Sequence, residues 1–193
     1  MITRTMNLVL AGLLVLVLWH ADTQAQQETW ERHIRAGLAA QQQGTFGEAV
    51  KQLKAALEAA KSFGPADLRL ATTLNNLAVL YDEQGRHAEA EPLYKRALAI
   101  MEQALGPEHP DVATNLYNLA SLYLFQGKYA EAEPLYKRLL AITEKALGPE
   151  HPDVATSLER YAALLRQTGR TAEADSFEVR ANAIRANLRG QSR

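Results

Sequence analysis

His109 and His151 stand in identical PEHPD pentapeptides, with Asp111 and Asp153 two residues further on. A histidine beside a carboxylate could begin a metal site, but such a site needs several ligands converging on one point. Here one pentapeptide follows the other by 42 residues, and no third ligand type clusters near either. Both histidines are therefore read as turn and capping residues. Glu89, Glu91, Glu131 and Glu133 recur with Lys95, Arg96, Lys137 and Arg138. Glu91 precedes Lys95, and Glu133 precedes Lys137, by the four residues that pair charges along a solvated helix, glutamate first. That pattern points to a salt-bridged surface rather than an acid–base pair. Ser62, Ser121 and Ser157 have no histidine at a nucleophile's spacing, and no glycine-rich phosphate loop or zinc motif occurs. The chain has no cysteine, which excludes disulfides and thiolate ligands. No catalytic, cofactor-binding or metal residues are assigned, and the expected role is binding.

The elements that carry these residues repeat. Residues 71–112 and 113–154 align without a gap, 42 residues apart; a diverged copy begins at Ala155. An earlier copy shows in Gly44, Phe46 and Ala49, which stand 41 residues before Gly85, His87 and Ala90. The units are expected at about 30–70, 71–112, 113–154 and 155–189. Within a unit, Leu74, Leu77, Ala78 and Tyr81 recur at the spacing of one helical face. Gly85 stops that helix as a left-handed cap. Ala90, Leu93, Tyr94, Ala97 and Leu98 mark a second helix, with Pro92 expected in its first turn and Gly106-Pro107 at its end. Asp67, His109 and His151 then hold the capping slot, Pro110 and Pro152 the first helical position, and Asp111 and Asp153 the positive end of the dipole. Helix, turn, helix and capped linker in tandem make an all-α α-solenoid.

The spacing of Leu74, Leu77, Ala78, Tyr81, Gly85, His87, Ala90, Tyr94 and Ala97 resembles the tetratricopeptide repeat signature. Leu116, Leu119, Ala120, Tyr123, Gly127, Tyr129, Ala132 and Tyr136 carry it again. The 42-residue period and the phrase ALGPEHPDVA resemble the kinesin light chain type of this repeat, also found in bacteria. The resemblance covers about residues 30–188. End units depart from it: Ala40 and Leu53 stand in slots held by Tyr81 and Tyr94, and Thr171 and Glu178 in those of Tyr129 and Tyr136. Terminal repeats lack a neighbour and are expected to be atypical. The last helix, near 172–188, is expected to be a polar cap, its surface kept hydrated by Arg180, Arg185 and Arg189.

The resemblance implies that the α-solenoid is right-handed, that first helices line a concave surface, and that the asparagines of the LNNLA phrase face a groove for extended peptides. Asn75, Asn76 and Asn118 match, and Asn side chains both donate to and accept from a backbone. Tyr117, Ser121 and Phe125 lie on the same first-helix face, off the core stripe. The third copy has Glu159 and Arg160 in the asparagine slots. The expected ligand is a protein or peptide. The alternatives are a tolerated polar surface with no ligand, and end-to-end stacking of chains into a homo-oligomer.

Composition agrees with a binding domain. With 47% hydrophobic and 22% charged residues, the 193-residue chain can bury one ordinary core. A net charge of −1 lacks the basic excess of a nucleic-acid binder. At the start, Arg4, the apolar run LVLAGLLVLVLW at 8–19 and the small-residue site Thr23-Gln24-Ala25 form the pattern of a secretory leader. The run is short for a membrane span. Residues 1–25 are expected to be a cleaved signal peptide, leaving 26–193 as the repeat domain, periplasmic or secreted, with no membrane span. An uncleaved anchor is the alternative.

Overall fold

The computed structural model describes residues 2–191, with side chains described for 22–189. The apolar run at 8–19 therefore falls outside the described side chains. Eight helices follow one another: α1 (Ile2–Gln42), α2 (Phe46–Lys61), α3 (Leu68–Glu83), α4 (His87–Leu105), α5 (Val112–Phe125), α6 (Tyr129–Leu147), α7 (Pro152–Gln167) and α8 (Thr171–Gln191). There is no strand among the described residues, and within residues 22–189 no helix is long and apolar enough to cross a membrane. The helices pair as α1 with α2, α3 with α4, α5 with α6 and α7 with α8, and each pair packs on the next. The first helices α3 and α5 also approach one another directly.

The turn inside each unit is closed by a glycine. Gly85 takes φ +73°, while its N–H donates to Asp82 and the Arg86 N–H donates to Tyr81, at 2.9 and 2.8 Å. These two bonds satisfy carbonyls that the helix end leaves open, and only glycine holds that backbone without strain. The linker between units is capped by side chains. Asp67 Oδ1 accepts from the Arg69 N–H at 2.8 Å. Nδ1 of His109 and of His151 accepts from the N–H of Asp111 and Asp153, each at 3.2 Å. His151 thereby caps α7, while His109 holds the turn ahead of α5, whose N-cap residue is Asp111.

Three sequence expectations need correction. Pro92 and Pro134 lie inside α4 and α6, not in the first turn, because the tight turn at Gly85 and Gly127 starts those helices earlier. Pro92 is exposed and so is Ala88, whose carbonyl loses its intrahelical partner, so water can reach that group. Pro152 does open α7, but Pro110 lies in a turn two residues before α5. There the Ala113 N–H donates to the Pro110 carbonyl at 3.0 Å, closing a four-residue turn that leads into the helix. Arg180 and Arg185 of α8 are not simply hydrated: they bond to Glu144 at 2.5 Å and Glu159 at 2.6 Å. Thr171 is exposed and Glu178 bonds to Arg166 at 2.7 Å. The buried side of α8 is small, with Ala174, Ala181 and Ile184 in the core.

The core runs along the seam between first and second helices. Ala78, Ala90, Ala120 and Ala132 are wholly buried, as are Tyr94, Tyr136, Leu74, Leu116 and Leu158. Alanines let two backbones approach while leucines and tyrosines fill the space beside them.

The charges do more than decorate single helices. Glu91 bonds to Lys95 at 2.6 Å, as spacing predicts, but also to Lys128 of the next unit at 2.7 Å. Glu133 repeats this with Lys137 and Arg170, both at 2.7 Å. Tyr123 and Tyr161 donate to the same two carboxylates. A second ladder joins Glu102 to Arg138 and Glu144 to Arg180. Hydrogen bonds from Lys128 and Lys95 hold the Glu91 carboxyl down at about 2; those from Lys137 and Arg170 do the same for Glu133, also to about 2. A carboxylate depressed in the folded state stabilises the fold above its unfolded pKa and loses that contribution as pH falls toward the folded value. Melting temperature is therefore expected to drop as pH falls from about 4.5 toward 2, and E91Q/E133Q should flatten that drop. Parallel pH profiles for parent and variant in thermal melts would refute the inter-unit role of these carboxylates.

Candidate functional site

The first-helix face of α3, α5 and α7 carries two clefts related by one repeat. The first, about 350 Å³, is walled by Thr72, Asn75, Met101, Asp111, Thr114 and Asn115. The second, about 270 Å³, is walled by Thr114, Tyr117, Thr143, Asp153, Thr156 and Ser157. These six residues of the second wall follow their counterparts by 42 positions, while Leu68 and Leu105 line the first cleft alone and Ala113 and Leu139 the second. The second helices close the clefts, Met101 of α4 in the first and Leu139 and Thr143 of α6 in the second.

The six residues singled out from sequence all lie on α3 or α5; Asn75 and Tyr117 line these clefts, whereas Asn76, Asn118, Ser121 and Phe125 lie outside their walls. Asn118 donates to Asn75 Oδ1 at 3.0 Å, tying α5 to α3. Both are half-buried, as is Asn76 beside them. One unit on, the same slots hold Tyr117 and Arg160, and the guanidinium sits 5.5 Å from the ring centroid. Arg160 thus continues the pairing between first helices instead of interrupting it, with a cation over an aromatic face replacing an amide pair. Ser121 Oγ lies 3.2 Å from the hydroxyl of Tyr136, whose phenol is pushed up by burial. Phe125 ends α5 with 75% of its surface exposed, and its ring centroid lies 4.8 Å from that of His87. Tyr117, Ser121 and Phe125 are spaced four residues apart and form one stripe along α5.

His87 was not picked out by its type. It reads as a packing residue because Tyr129 fills its slot in the next unit. In the fold its Nδ1 lies 2.7 Å from Asp82 and its ring supports Phe125. The register could have signalled it, since the slot opposite holds Phe125 here and Gln167 one unit later, where Tyr129 meets Gln167 at 3.4 Å. No group of three or more metal-ligating side chains gathers anywhere among the described residues. Such a surface, with amides, hydroxyls, one cation and two open aromatic rings, can hold a ligand but presents no reacting constellation.

Comparison with known proteins follows this geometry. The family model described as tetratricopeptide repeat matches residues 29–103, 83–145 and 111–186. No curated protein sequence matches the chain. Among solved structures, BtubC (BKLC) from P. vanneervenii is similar with a TM-score of 0.80 at 24% identity, over 86% of this chain and 66% of that one. A Podosopora anserina protein of nearly identical TPR-like repeats, assigned as a kinesin light chain, gives 0.70 at 28% identity over 82% of this chain and 76% of its own. Aspartyl phosphate phosphatase F from Bacillus subtilis gives 0.72 at 17% identity, over 83% of this chain and 41% of the phosphatase. The chain thus spans just under two thirds of BtubC and well under half of the phosphatase.

Proposed function

Because this chain belongs to the tetratricopeptide repeat family, we propose that it is a non-catalytic scaffold that holds a segment of another protein along its first-helix face. Repeats of this family generally serve protein interaction. The observation that carries the reading is the pair of clefts repeating at 42 residues, since a ligand with a regular backbone needs regularly spaced partners. After their mutual bond, Asn75 keeps both amide hydrogens and Asn118 keeps its carbonyl oxygen. Those groups can meet the N–H and C=O of an extended strand. Phe125 and Tyr117 offer apolar area beside them, and exposed aromatic anchors commonly dominate such contacts.

A partner is to be captured on the purified protein from an envelope extract, identified, and its affinity measured with purified components. Y117A/N118A should weaken binding about 30-fold, which corresponds to about 2 kcal/mol. Helicity should be unchanged, since both side chains are only half-buried. Lys137→Ala, on the outer side of α6, should change affinity little. An unchanged affinity in the double variant would remove this face from consideration. We further place the protein outside the cytoplasm, on the leader pattern at its start. N-terminal sequencing from the native cell should find a start near Gln26, and recovery of Met1 in membranes would favour an anchor instead.

A further inference from the structure

The second-helix side of the solenoid carries another feature, at the junction of the first two units. A groove of about 630 Å³ opens between α2 and α4, with Leu77 and Tyr81 of α3 as its floor and Leu57, Leu93 and Pro92 on its walls. Its cause is visible in the repeat register. At both later junctions the second helices are tied by glutamates to cations of the next unit, Glu91 to Lys128 with Glu102 to Arg138, then Glu133 to Arg170 with Glu144 to Arg180. At the first junction Val50 stands in the slot of Glu91, and Lys61 in that of Glu102. Neither tie can form. Ala55 also replaces the arginine that Arg96 and Arg138 represent, which removes a long side chain from the mouth of the groove.

The cations that would meet those glutamates, Arg86 and Arg96, are left without them. Arg86 turns back to Glu89 at 2.5 Å, and Lys61 itself bonds to Glu58 at 2.7 Å, so both carboxylates of the rim are occupied. Lys54, on the groove wall within the field of Glu89, and Arg96, one turn along α4 from Leu93, form no salt bridge among the described residues. We infer that this groove docks an amphipathic segment of another protein, with apolar side chains on Leu57, Leu77 and Leu93 and carboxylates on Lys54 and Arg96. Apolar area supplies the attraction and the two cations supply the choice of partner. The site is independent of the first-helix face, and either can fail without the other.

The test uses fluorescent model peptides and the full repeat protein. One peptide carries a leucine face flanked by glutamates, one the same face flanked by lysines, and one glutamates with serines in place of leucine. The Leu/Glu peptide should bind in an anisotropy titration, at least about tenfold more tightly than either control, a difference of about 1.4 kcal/mol. Ala55→Arg should fill the groove, and Lys61→Glu should recreate the tie to Arg96; each should weaken the Leu/Glu peptide about tenfold or more. Lys61→Glu should melt no lower than the parent, so its loss of binding would not reflect unfolding. Y117A/N118A should bind the peptide as the parent does. Equal binding of the Leu/Lys peptide, or undiminished binding to both groove variants, would overturn the proposal. So would concentration-dependent dimerisation abolished by Ala55→Arg, which would assign the groove to a second copy of the chain.

Discussion

Truncation after Val154 is expected to convert the protein into an associating, poorly soluble fragment. The deletion removes α7 and α8, and with them Leu158, Tyr161, Ala162, Leu164, Leu165, Ala181 and Ile184, all buried in the full chain. Their loss uncovers the side of α6 that faces α7, where Leu139 and Thr143 share a cleft with Thr156 and Ser157. It also leaves Glu133 without Arg170 and Tyr161, and Glu144 without Arg180. In a solenoid each unit is stabilised by its neighbours, so removing the terminal unit subtracts an interface as well as a unit. An apolar repeat face of more than a few hundred Å² open to water promotes association. Gel filtration over a concentration range should show the fragment growing with concentration beyond the parent. A fragment that stays monomeric and as soluble as the parent would show that α8 is not a cap.

Ala120→Leu should lower the melting temperature substantially, while Glu131→Gln should not. Ala120 has no exposed surface and lies where α5 packs against its neighbours. Three added carbons have no void to enter, so neighbouring side chains must leave their rotamers or the helices must move apart. Such overpacking costs about 1–3 kcal/mol. For a domain of this size that corresponds to roughly 2–12 °C in thermal melts. Glu131, exposed in the first turn of α6, contributes only its charge near the helix N-terminus, worth about 1 kcal/mol or less. Equal melting temperatures for the two variants would mean that the wrong faces have been taken as buried.

Local order in this protein is legible wherever one residue type meets one requirement. The apolar spacing of Leu74, Leu77, Ala78 and Tyr81 marks a helix and its buried face, because burial demands that side chains recur with the helical turn. The apolar stripe Ala90, Leu93, Tyr94, Ala97 and Leu98 marks the helix after Gly85, but Pro92 misleads about where it starts, because a proline on an exposed face is tolerated deeper in a helix. The candidate face was legible as well, since the asparagines and Phe125 fall off the core stripe in register.

What the sequence determined by itself is the unit: two helices, their turn, the capped linker and the alanines that let them close together. These follow from interactions within a few residues, or from a pattern repeated until it cannot be missed. Only the tertiary structure decided how units meet. Glu91 has a partner four residues away and another 37 residues away, and the second exists because stacking brings the next turn against α4. Asn75 bonds Asn118, Tyr117 meets Arg160, and His87 meets Phe125 for the same reason. The rise and rotation from unit to unit set these distances, and they depend on the packing of the whole seam rather than on any one residue. The same stacking makes the first junction different, because there Val50 and Lys61 meet a neighbour built to receive carboxylates.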